Sequence, residues 1–184
     1  MKVTHTKIEG VFIIEPKVFK DPRGYFFEVF SKRDFEEHTG MEIDFVQDNE
    51  SCSHKGVLRG LHFQKPPYSQ AKLVRCVVGK VLDVAVDLRK GSPTYGQYET
   101  VELSEDNNLQ FFIPKGMAHG FVVLSDVAIF QYKCDEYYHP EAEGGIDPFD
   151  PQINIEWQIL KEDAILSEKD KKHPLFIEFQ SPFD

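Results

Sequence analysis

The sequence predicts an all-β sandwich or barrel, on three observations. First, short segments rich in β-branched and aromatic residues follow one another at 45–50, 57–64, 72–78, 80–88, 97–103, 110–113, 119–123 and 128–136. Second, turn dipeptides or polar knots divide them: Gly79-Lys80, Gly91-Ser92-Pro93, Asp106-Asn107-Asn108 and Ser125-Asp126. Third, residues 81–88 alternate cleanly. Leu82, Val84, Val86 and Leu88 share one face, and Asp83, Ala85 and Asp87 share the other. One of those faces lines something polar.

Upstream, Val11-Phe12-Ile13-Ile14-Glu15 and Gly24-Tyr25-Phe26-Phe27-Glu28-Val29-Phe30 read as strands, with Asp21-Pro22-Arg23-Gly24 as the turn between them. Ser31-Lys32-Arg33-Asp34 resembles a capping box with Asp34 in place of Glu, opening a short helix that ends near Gly40. Downstream, residues 140–151 are rich in Pro, Gly and acid and read as a loop. Ile153-Asn154-Ile155-Glu156-Trp157 alternates again, and Ser167-Glu168-Lys169-Asp170 looks like a second helix start. No internal repeat, low-complexity tract or linker interrupts the chain, so residues 1–184 are expected to form one domain.

Composition narrows the function classes. A hydrophobic fraction of 41%, including 16 Phe and 7 Tyr, is that of a globular chain. Cys52, Cys76 and Cys134 form no Cys-x-x-Cys pair and leave one over, which argues against a disulfide framework and for a reducing cytoplasm. The first residues lack the apolar run of a signal peptide, and no apolar stretch approaches the roughly 20 residues needed to cross a bilayer. The formal net charge of −10 argues against nucleic acid as a partner. An anionic small molecule remains possible if a few Arg and Lys converge locally. The acidic runs at 102–106, 135–150 and 162–170 read as solvated surface.

Two motifs carry chemistry. Arg59-Gly60-Leu61-His62-Phe63-Gln64 and Pro114-Lys115-Gly116-Met117-Ala118-His119-Gly120 look like the signature segments of a small β-barrel with its metal ligands half erased. Gln64 stands where a second imidazole would be wanted, and residues 65–68 offer no carboxylate, so the pattern argues against a catalytic metal. A Gly-x-Ser-x-Gly elbow and a phosphate-binding Gly-rich loop are both absent. General acid–base chemistry remains. His62 can accept a proton near neutrality. Arg59 lies on the same segment and Lys72 and His119 on others, and all three could converge on it across a barrel mouth. Tyr132 is a candidate proton donor; its plainer role is a cross-strand aromatic. Asp170 could orient His62 or simply cap the turn at Ser167, and Asp83 is the inward-facing alternative for the orienting role.

At these residues the sequence resembles the dTDP-4-dehydrorhamnose 3,5-epimerase family, a branch of the cupin or jelly-roll superfamily. Matching segments run over nearly the whole chain, among them residues 21–28, 45–49, 56–64, 71–74, 88–96, 113–121 and 166–170. The resemblance implies a mainly β, antiparallel jelly roll with a few short peripheral helices. It also implies a dTDP-4-keto-6-deoxyhexose substrate inverted at the two carbons flanking the ketone, without metal, nicotinamide or other cofactor. Carried over by position, His62 matches the base, Asp170 its orienting partner, Tyr132 the acid on the opposite face, and Lys72 the group beside the ketone. Arg23, Glu28, Gln47, Asp48, Asn49, Arg59, His119, Glu143 and Glu168 fall in the nucleotide- and sugar-binding segments, and Phe26 and Tyr138 match aromatics around the thymine. Arg23, Arg59, Lys72 and His119 are expected to make the pocket basic while the exterior is acidic. The resemblance further implies a homodimer that exchanges N-terminal strands, bringing Phe19, Arg23 and Phe26 into the neighbour's site. Single-site 3- or 5-epimerases and 3,4-ketoisomerases share the same His, Lys and Tyr, so the motif fixes the chemistry better than the number of centres inverted. A ligand-binding jelly roll without turnover and a metal-dependent cupin are the competing classes.

Overall fold

Apolar residues on both faces of the central strands require cover on both sides, and the fold supplies it with two facing sheets and an outer coat. In the computed structural model, which describes residues 1–184, the elements are β1 (Lys2–His5), β2 (Phe12–Glu15), β3 (Phe19–Asp21), β4 (Gly24–Phe26), α1 (Lys32–Thr39), β5 (Gln47–His54), β6 (Leu58–Gln64), β7 (Lys72–Val78), β8 (Lys80–Asp87), β9 (Tyr98–Ser104), β10 (Gln110–Ile113), β11 (Met117–Val123), β12 (Val127–Cys134) and β13 (Glu143–Gly145). One sheet runs β1-β2-β10-β7-β12-β5 and the other β13-β6-β11-β8-β9, with β3-β4 a separate hairpin. All pairings between these strands are antiparallel. This is the mainly β jelly roll expected, with one α-helix and short 3-10 turns at its edge. No helix is long and apolar enough to cross a membrane.

Alternation along each strand divides its residues between two cores. Val74, Phe111 and Phe130 of the six-stranded sheet meet Ala85, Phe121 and Val123 of the five-stranded one. Their neighbours Leu73 and Phe112 face outward, under Phe35 of α1 and Ile43. On the other outer face Leu82, Val84 and Val86 are covered by Ile146, Ile153, Trp157, Phe176 and Phe183 from the C-terminal third. Burying each such side chain stabilises by roughly 1.5–3 kcal/mol, so the C-terminal coat is a substantial part of what holds the five-stranded sheet. Asp83 and Ala85 do point between the sheets, as the alternation predicts.

Half of the capping box forms: the Ser31 hydroxyl accepts from the Asp34 amide at 3.4 Å, while the Asp34 carboxylate meets Arg33, and Gly40 closes α1 at φ 70° with its amide donating to the Glu36 carbonyl. Other expectations are corrected. β1, β3 and β13 were not anticipated, and the strand predicted over 24–30 ends at Phe26, because Phe30 turns in to pack on Phe35 and Phe45. Residues 153–157 form no strand: Ile153 and Trp157 are buried as alternation demands, but Asn154 takes a left-handed φ of 53° that ends extension. The helix predicted at Ser167 is a single 3-10 turn over Asp170–Lys172, which the Ser167 hydroxyl caps by accepting from the Asp170 amide at 3.1 Å.

Candidate active site

The two signature segments become neighbouring strands, and their glycines explain how. A Cβ on Gly60 would lie 2.6 Å from the Gly120 Cα, and one on Gly120 would lie 2.8 Å from the Arg59 carbonyl. Only glycine at both positions lets β6 and β11 approach this closely. The register then sets His62 directly opposite His119. From the facing sheet, β12 places Tyr132 between Asn49 of β5 and Val74 of β7, and β7 begins at Lys72. His62, Lys72, Tyr132, Arg59, Glu143 and Asp170 line one cavity of about 460 Å³, with His119 at its back. The base candidate and the acid candidate therefore sit on opposite sheets across a shared space.

His62 Nε2 is 2.7 Å from Asp170 Oδ1, and Asp170 is only 4% exposed. Burial opposes ionisation of this carboxyl, but the imidazoles of His173 and His62 and the Gly60 amide outweigh it and hold its pKa well below the ordinary carboxylate value. With Nε2 committed to Asp170, Nδ1 of His62 is the nitrogen left for a substrate. Asp83, the alternative orienting residue, instead pairs with His119 at 2.9 Å. Burial outweighs their mutual attraction, pushing His119 down and Asp83 up, toward the uncharged forms.

Lys72 and Tyr132 form a different pair. The ammonium lies 5.7 Å from the centre of the phenol ring. Burial lowers the Lys72 pKa, only partly offset by Cys134, Asp83 and Glu143. Burial likewise raises the Tyr132 pKa, with Arg59 opposing it. The phenol is thus a proton-loaded donor at neutral pH.

A second cavity of about 290 Å³ adjoins the first and shares His62, Lys72, Tyr132 and Glu143 with it. Gln47, Asn49 and Tyr138 line it, and the Tyr138 hydroxyl donates to Glu143 at 2.7 Å. Gln64, at the position of an erased ligand, is buried. Its amide donates to the Tyr68 and Tyr137 carbonyls at 2.7 and 3.0 Å, and its oxygen accepts from the His139 amide at 2.7 Å. It lines this second cavity, but its polar atoms are spent on fastening two loops together.

The structure thus brings together His62, Lys72, Tyr132, Asp170, Arg59, His119 and Glu143, with Gln47, Asn49 and Tyr138 next door. Five others stay apart. Arg23 and Phe26 are on the exposed β3-β4 hairpin, where Arg23 pairs with Asp21. Glu28 lies near Phe30 and Leu73, outside the six-stranded sheet. Asp48 is one residue out of phase with Asn49, so it faces outward and meets Lys133 at 2.8 Å. Glu168 is exposed and bound to Lys171. Of the cations expected to make the pocket basic, Arg59 and Lys72 line the cavity of the single chain, burial pushes His119 toward neutrality, and Lys169 adds a further cation paired with Glu143. Sequence reasoning missed Lys169 and also His173, whose Nε2 is 3.5 Å from Asp170 Oδ1. The three-residue spacing of Asp170 and His173 across one 3-10 turn was the available signal.

Comparison with known proteins agrees with this geometry. The family model described as dTDP-4-dehydrorhamnose 3,5-epimerase matches residues 5–178. The dTDP-4-dehydrorhamnose 3,5-epimerase of Shigella flexneri is 53% identical over 178 residues, covering 97% of each chain. The crystal structure of the enzyme of that name from Elizabethkingia anophelis superposes with a TM-score of 0.93 at 53% identity, covering 97% of each chain. The dTDP-6-deoxy-D-glucose-3,5-epimerase of Legionella pneumophila, solved with dTDP-4-keto-L-rhamnose, does so with a TM-score of 0.93 at 50% identity, covering 97% of this chain and 94% of that one. With the ordered motifs, the fold and the full-length matches in agreement, the chain belongs to the dTDP-4-dehydrorhamnose 3,5-epimerase family.

Proposed function

We propose that the protein is a cofactor-independent epimerase that inverts carbons 3 and 5 of dTDP-4-dehydro-6-deoxy-D-glucose to give dTDP-4-dehydro-L-rhamnose. The observation that carries this reading is the placement of His62 and Tyr132 on facing sheets around one cavity, with Lys72 beside the phenol. The 4-ketone acidifies both adjacent C–H bonds, because either carbanion delocalises into an enolate. His62, oriented by Asp170, takes the proton on one face through Nδ1. Lys72 stabilises the oxygen on which negative charge develops. Tyr132 returns a proton to the opposite face and recovers its own from solvent, as His62 releases its proton there. Repetition at the second carbon completes the reaction.

Arg59, Gln47, Asn49, His119, Tyr138 and Glu143 form the nucleotide- and sugar-binding surface in this reading. Arg23, Phe26, Glu28, Asp48 and Glu168 lie outside the cavity of the single chain. A homodimer supplies the first two of these: Phe19, Tyr25 and Phe26 of the hairpin are more than half exposed, as suits a segment that packs against a neighbour's site. Sedimentation of an active sample should give a dimer, and a fully active monomer removes this part of the account.

Incubation with dTDP-4-keto-6-deoxyglucose in deuterated water tests the reaction. Deuterium at both flanking carbons is the expected result. Deuterium at one carbon only indicates a single-site epimerase, and exchange no faster than in buffer ends the enzymatic reading.

A further inference from the structure

We propose that His62, Asp170 and His173 form a binding site for one divalent transition-metal ion of the Zn2+ class, and that its occupation switches the enzyme off. The ligand atoms of these three residues all lie within 4.8 Å of one another. Two imidazoles and a carboxylate are a donor set that suits Zn2+.

The second observation concerns His173 alone. Its side chain is nine-tenths buried, and its Nε2 has no hydrogen-bond partner, lying 3.5 Å from Asp170 Oδ1 without the geometry of a bond. Leaving a buried polar nitrogen unsatisfied is unfavourable, so a ligand that engages it is favoured. The ring cannot easily swing away: it lies against the bare backbone of Gly145, where a Cβ would overlap it. The Asp170–Lys172 turn holds it from the other side, with the His173 amide donating to the Asp170 carbonyl at 3.4 Å.

The geometry needs a modest adjustment, in which the 2.7 Å His62–Asp170 contact opens while the imidazoles draw together. Zn–N and Zn–O bonds of about 2.0–2.2 Å put tetrahedral donors roughly 3.3 Å apart. The Asp170 oxygen is already 2.7 Å from His62 and 3.5 Å from His173. The remaining adjustment, drawing the two imidazoles together, falls to His62, whose side chain is 30% exposed at the cavity wall. The Asp170 Oδ2 faces the Gly60 amide at 3.5 Å, an outer-sphere partner for the carboxylate.

Binding replaces the proton between His62 Nε2 and Asp170 with the metal, and that proton leaves to solvent. The imidazole is then fixed to a cation and its Nδ1 becomes a poorer base. The inhibitory consequence rests on the role of His62 in the proposed epimerisation; the binding itself does not. Its sign is opposite to that of a metal-dependent enzyme, because a chelator raises activity instead of abolishing it.

The test is titration of chelator-treated full-length protein with ZnCl2 by calorimetry, in the wild type and in His173→Gln. One site per chain is expected in the wild type, weakened in the variant by at least about tenfold, the loss that removing even an outer-sphere partner causes. Equal affinity in both proteins, or no binding by the wild type, overturns the site. Co2+ gives a readout independent of the variant's folding: the wild-type complex should show visible d–d bands of tetrahedral intensity, and an octahedral spectrum contradicts the proposal. In the isotope-exchange assay Zn2+ should inhibit with the calorimetric midpoint and EDTA should restore the rate. Saturation without inhibition overturns the switch. A protein with no exchange activity at all still has its metal site decided by calorimetry.

Discussion

The two walls of the cavity carry their polar groups under different constraints. On the five-stranded wall and the segment behind it, His62 is bonded to Asp170, His119 to Asp83, and Glu143 to Lys169 and Tyr138. On the six-stranded wall Lys72 and Tyr132 meet only through the face of the ring, and burial pushes both toward their neutral forms. The first wall is wired before substrate arrives. In the proposed reaction the Lys72–Tyr132 pair of the second gains its stabilising interactions when charge appears on the sugar. A group whose interaction strengthens in the transition state lowers the barrier, whereas one equally satisfied throughout does not. In the proposed reaction the wired wall would therefore set orientation, and the Lys72–Tyr132 pair is where differential stabilisation would arise.

Substitution on each wall sharpens this contrast. His62→Ala removes the base itself, and turnover should fall by about 100- to 10,000-fold while calorimetry shows dTDP still binding. A variant that keeps exchanging sugar protons at the wild-type rate breaks the assignment.

Asp170→Asn leaves the imidazole but loosens its tautomer and aim, so kcat should fall by roughly 100-fold with a smaller change in KM. The same residue makes a pH prediction. Its folded pKa lies below the unfolded one, so its contribution to stability is complete above about pH 4 and is lost as pH falls through the depressed value. Urea unfolding should show the gap between wild type and Asp170→Asn narrowing below about pH 4. A gap that widens in acid contradicts a carboxylate held by hydrogen bonds in the folded state.

Gly120→Ala perturbs how the wired wall is built without touching its chemistry. A Cβ there meets the Arg59 carbonyl at 2.8 Å, so urea unfolding should report a loss of about 1–3 kcal/mol. No loss means that β6 and β11 do not need their close approach.

The fold was largely legible because burial on both faces leaves a strong local signal. The clean alternation of Leu82, Val84 and Val86 against Asp83 and Ala85 predicts the two environments that β8 occupies. What escaped depends on partners distant in sequence. β1 is a polar edge strand that forms by pairing with β2, and Glu143-Gly144-Gly145 is a strand only because β6 lies alongside. Alternation at Ile153 and Trp157 reads burial correctly but cannot reveal the left-handed Asn154 between them. At the site, His62, Lys72 and Tyr132 stood out through motif and resemblance. His173 did not, because its significance lies in reaching Asp170, a contact that the sequence shows only as a three-residue spacing. Asp48 shows the reverse: it lies in a matching segment, yet strand phase turns it away.

The measurement that bears most directly on the opposed walls is position-resolved deuterium incorporation by Tyr132→Phe with dTDP-4-keto-6-deoxyglucose in deuterated water. With the base intact and the opposite donor gone, the sugar should exchange its proton through His62 and keep its original configuration. Inversion at the wild-type rate would show that the phenol does not deliver the second proton and would contradict the account.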